Sequence, residues 1–94
     1  MKTIDALIEL ENRADRAAAA LAFTTGCGRC ETRRAIGNAL LELAAAAKGN
    51  PSVSRLRAKR PLLWGELLCI EEAVCDLELS VYETQHHRRE PSVN

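Results

Sequence analysis

Thr24-Thr25-Gly26-Cys27-Gly28-Arg29-Cys30-Glu31 is the one sharp break in the first half of this sequence, and the fold turns on how it is read. Two glycines flank Cys27, and Cys27 and Cys30 form a CxxC pair. Upstream, no glycine or proline interrupts residues 3–23. Ile4, Leu7, Leu10, Ala14, Ala17, Ala18 and Leu21 recur there at the three- and four-residue spacing of a single helical face. Thr3 stands where an N-cap belongs, with Asp5 in the first turn, and Glu9 and Arg13 are four apart on the outer face, as a supporting ion pair would be. Residues 24–30 then read as a turn, with Gly26 suited to the left-handed position after a helix.

A second helix is expected over 31–48. Thr32, Ile36, Ala39, Leu40, Leu43 and Ala47 form its inner stripe, and Lys48-Gly49-Asn50-Pro51 supplies a cation, a capping glycine and a stop proline in the usual order. So short a connection implies an antiparallel helical hairpin. Large residues of one helix would face alanines of the other, Ala17–Ala20 against Ile36 and Leu40, and Ala44–Ala47 against Ile4, Leu7 and Ile8.

Residues 49–60 read as a basic loop with room for one helical turn, and Arg55, Arg57, Lys59 and Arg60 make it the most basic stretch. Pro61 suits the first turn of a third, long helix over 61–88, followed by a polar tail at 89–94. Leu63, Leu67, Ile70, Val74, Leu77 and Val81 alternate spacings of four and three, a heptad seam. A second apolar stripe, Trp64, Leu68, Cys75, Leu79 and Tyr82, lies about 120° around the axis. A helix with two apolar faces needs more than one partner surface. The expected fold is therefore all-α, a three-helix bundle made of a hairpin and a long helix that dimerises through its surplus face.

Composition agrees with a small helical domain. The 94 residues are near the lower end of what one core stabilises. The 47% of hydrophobic residues are mainly Ala and Leu, with one Phe, one Trp and one Tyr. Alanine buries little area, so self-association would add to a thin core. Net charge is zero but uneven: −1 over residues 1–23, +2 over 24–49, +4 over 50–61 and −5 over 62–94. A neutral total argues against general attraction to nucleic acid or membrane. No apolar run is long enough to span a bilayer, and Met1-Lys2-Thr3-Ile4-Asp5 does not read as a signal peptide. The expectation is a cytoplasmic protein of bacterial or phage type, with its cysteines as thiols or ligands.

Three chemistries suit parts of this residue set. Cys27 and Cys30 can occupy two positions of a zinc site, with His86 as a further ligand. No second CxxC exists, so completion would need His86, the adjacent His87, or another chain. The same pair at a helix N-terminus can act as a reactive thiol. All-helical CxxC peroxidases, however, place a histidine soon after the second cysteine, where this chain has Arg33 and Arg34. Cys69 and Cys75 are six apart, about 120° on a helix, so they cannot chelate one metal together, and Cys75 reads as a small core residue.

The Arg55–Arg60 stretch invites contact with nucleic acid but lacks interleaved aromatics and a recognisable DNA-binding helix pair. No catalytic set emerges, and the carboxylates of the long helix read as a solvated acidic surface rather than an acid–base pair. The expected function is non-enzymatic: an adaptor, regulator or inhibitor that binds another protein through Trp64, Leu68 and Tyr82 together with Arg55, Arg57, Lys59 and Arg60.

Overall fold

The computed structural model describes residues 2–26 and 30–89, with side chains followed as far as Gln85. The described residues are all-helical: α1 (Thr3–Thr25), α2 (Cys30–Ala46), α3 (Val53–Lys59) and α4 (Pro61–Arg89), without strands. The Cys27 half of the CxxC pair and the tail from Glu90 lie outside the described residues.

Helix α1 ends where its sequence stops favouring a helix. Gly26 takes φ 77° and its N–H donates to the Ala22 carbonyl. Just before it, Thr24 and Thr25 donate their hydroxyls to the Ala20 and Leu21 carbonyls. Its start differs from the expected one. Lys2 occupies the cap position without a side-chain hydrogen bond, and Thr3 is buried inside the first turn. The Thr3 hydroxyl donates to the Asn50 carbonyl and its N–H to the Pro51 carbonyl, both at 2.8 Å. Thr3 is thus already inside the helix rather than at its cap, and its hydroxyl donates to a carbonyl distant in sequence.

Helix α2 closes at Gly49, φ 88°, beyond which the 49–60 segment departs from the expected loop. Seven of its residues form α3. The Ser52 hydroxyl accepts from the Arg55 N–H at 3.1 Å, and Leu56 is fully buried. Helix α4 follows after Arg60 alone, with Pro61 in its first turn, where the missing N–H costs nothing. At about 1.5 Å per residue, its 29 residues span about 43 Å.

The core runs along one stripe from each helix. Leu10, Ala14 and Leu21 of α1, Leu40 and Leu43 of α2, Leu56 of α3, and Leu67, Val74 and Leu77 of α4 are among its buried members. Helix α1 packs against both α2 and α4, while α3 packs against α4 and α1. Two ion pairs fix the height of α1 between its neighbours. Asp15 meets Arg33 on α2, and Arg13 reaches Glu78 on α4. The second replaces the expected Glu9–Arg13 pair, because a carboxylate on a packed neighbour holds the guanidinium more fully than one four residues back. Ile4, expected against Ala44–Ala47, shares a groove with Leu7, Ala44 and Ala47 but is 53% exposed, and Ile8 is 51% exposed. Among the described residues, no helix is long and apolar enough to cross a membrane.

Candidate functional site

Helix α4 has a buried face and an open one. Its inner face carries Leu63, Leu67, Ile70, Val74 and Leu77, all buried against the other helices. Leu68 and Leu79, on the stripe about 120° away, remain 44% and 52% exposed, and Tyr82 is 61% exposed. Cys75 belongs to this exposed stripe, not to the core as its apolar neighbours suggested. The phase of the stripe decides the point: the neighbouring helices bury the heptad seam, and Cys75, about 120° from it, stays exposed.

Trp64, at the lower end of the stripe, is half-buried and packs against the core. The Arg57 guanidinium lies over its ring, 5.7 Å from the centroid, so the indole is sandwiched between core and cation. A groove of about 260 Å³ beside it is lined by Ala6, Glu9, Arg13, Val53, Trp64 and Glu71, among others. Arg55, Arg57, Lys59 and Arg60 are all exposed, on and just after α3, forming a basic knob at the N-terminal end of α4. Glu66, Glu71, Glu72, Asp76 and Glu83 are exposed further along the same helix. Of these, Glu71 and Glu72 flank the stripe at about 100° per residue, while Glu66 lies on the far side of the helix.

Within the acidic stretch lies an ionic cluster with no counterpart among the sequence expectations. Arg13 donates through Nε and Nη2 to the two carboxylate oxygens of Glu78, at 3.0 and 2.6 Å, and its Nη2 also donates to the Cys75 Sγ at 3.4 Å. The two-point bond from Arg13 pulls the Glu78 carboxyl below its ordinary range, and the same bond pushes the Arg13 guanidinium further up. On the α2 side, the bond from Arg33 likewise lowers Asp15. Both partners are separated by more than sixty residues in the first cluster. Neighbouring charges in sequence, such as Glu9 and Arg13, therefore gave no signal for it.

The metal-ligand candidates are not brought together among the described residues. Cys30 opens α2 and is exposed, Cys69 and Cys75 are exposed on different parts of α4, and all three are free thiols. Cys27 and the side chain of His86 lie outside the described residues. No group of three His, Cys, Asp or Glu side chains with metal-holding geometry occurs among the described residues. Comparison with protein-family models, with curated proteins and with solved structures gives no match.

Proposed function

We propose that this chain is a small non-enzymatic helical protein that binds another protein through the outer face of α4, acting as an adaptor, regulator or inhibitor. In this reading α1, α2 and α4 make a three-helix bundle that α3 braces at one end. The basic knob and the acidic flank of α4 set which partner surface is accepted. The observation that carries the reading is the second apolar stripe. Leu68, Leu79 and Tyr82 are presented to solvent in a row on a helix whose other face already satisfies the core. Apolar side chains aligned on one exposed face mark an interaction surface more often than scattered ones do.

Native mass measurement on protein isolated from its own cells tests this. The expected result is an assembly heavier than the 10.3 kDa chain, holding either a second polypeptide or a second copy. Replacing Leu68→Glu together with Leu79→Glu is expected to strip the assembly and leave the circular dichroism spectrum unchanged. Recovery of the wild type only as a bare single chain overturns the reading.

A further inference from the structure

We propose that the occupant of the outer α4 face is a second copy of this chain, laid antiparallel so that each α3 rests on the acidic stretch of the other α4. This rests on the reading of that face as a docking surface and names what docks there. Charge selects this partner. Arg55, Arg57, Lys59 and Arg60 are exposed at one end of the stripe, and Glu71 and Glu72 flank it near its middle. One molecule therefore carries both halves of a complementary pair on a single face, and a two-fold axis satisfies both halves at once.

The same charges choose the direction and the register. A parallel pair lays basic knob on basic knob and carboxylate on carboxylate. An antiparallel pair centred on Cys75 also superposes the two acidic stretches. An axis at Leu68 instead sets Trp64 level with the partner's Glu72. Arg57, held over the Trp64 ring, then comes beside the partner's Glu71 and Glu72. Leu68 meets its own copy on the axis, and the helix dipoles oppose each other favourably. Opposite charges thus meet and Leu68 is covered in one arrangement, while Tyr82 lies beyond the start of the partner's α4.

Charge exchange tests this on the full chain. Wild type is expected to run as a dimer by light scattering, weakening as salt rises. Arg57→Glu with Arg60→Glu, and separately Glu71→Lys with Glu72→Lys, are each expected to give monomers. Mixing the two variants is expected to restore a dimer, because both contacts are then complementary. In a chain with all four cysteines replaced by serine, Leu68→Cys is expected to cross-link to itself under mild oxidation and Tyr82→Cys is not. A monomeric wild type overturns self-pairing and leaves docking of a different protein to the native-mass test. Failure of the mixture to pair, or self-cross-linking at Tyr82→Cys, overturns the antiparallel register even where the Leu68→Glu, Leu79→Glu pair still disperses the wild-type assembly.

Discussion

The two faces of α4 are made from similar residues and meet opposite fates. The inner face reads Leu63, Leu67, Ile70, Val74, Leu77 and is closed off by α1, α2 and α3. The outer face reads Trp64, Leu68, Cys75, Leu79, Tyr82 and is largely open. Apolarity alone does not separate them. The inner row is unbroken through two heptads and packs against neighbouring helices. Near the middle of the outer row, Glu71 and Glu72 stand where a sealed core would require apolar side chains. Burial follows from continuity and from having a partner, so the same residue type carries energy on one face and availability on the other.

The sharpest way to break this comparison is on the inner face. Leu77→Ala is expected to cost about 2–5 kcal/mol in urea unfolding, since Leu77 is 1% exposed and its neighbours can close the gap only in part. A loss comparable to that of a surface substitution would show that the inner seam is not the core. Leu56→Ala, at a fully buried position, is expected to cost about 2 kcal/mol, toward the low end because a seven-residue helix can shift into the space. A near-zero cost there would detach α3 from the folded unit.

Between the faces, Glu78→Gln removes the charge that Arg13 holds. The pair is partly exposed, so the expected cost is roughly 0.5–1 kcal/mol near neutral pH. Because Glu78 titrates lower when folded than when unfolded, its contribution is complete above the unfolded value and disappears as pH falls through the lower folded one. Wild type and Glu78→Gln should therefore converge in stability below pH 4.5 and differ above it. Parallel curves across that window would remove the ion pair from the account. The smallest effect is expected on the outer face. Leu79→Ala, measured at dilutions where single chains prevail, should change unfolding free energy by no more than about 0.5 kcal/mol. A cost like that of Leu77→Ala would erase the distinction between the faces.

The sequence made some of this legible and concealed the rest, for identifiable reasons. The long α1, the turn at Gly26 and the inner row of α4 follow from uninterrupted periodicity, which burial on one face enforces. Helix α3 was hidden because the nine residues between Pro51 and Pro61, four of them basic, resemble a solvated link. A signal was present in Ser52 before Val53, a capping residue ahead of a buried Leu56. Cys75 was misassigned because an apolar stripe says which residues align, not which stripe a neighbour covers. Arg13 was misassigned for the opposite reason. Local spacing offered Glu9, whereas its actual partner lies on another helix at a distance in sequence that no local rule reaches. The candidate site is legible as an alignment of residues on one helix; the seat of Arg57 on the Trp64 ring follows only once α3 packs on α4.

The tie between Thr3 and residues 50–51 has a consequence for motion. Helix ends ordinarily fray first, and amides there exchange with solvent almost as fast as in a free peptide. Here the opening amide of α1 is held by the Pro51 carbonyl, its hydroxyl by Asn50, and Lys2 pairs with Ser52 across the same junction. The chain from Thr3 to Pro51 is thereby a closed ring, and its clasp is also the platform from which α3 starts. Unfastening one end of α1 and lifting α3 are then a single opening event. The protection of the Thr3 amide should rise and fall with that of the Leu56 amide, two reporters more than fifty residues apart keeping one time.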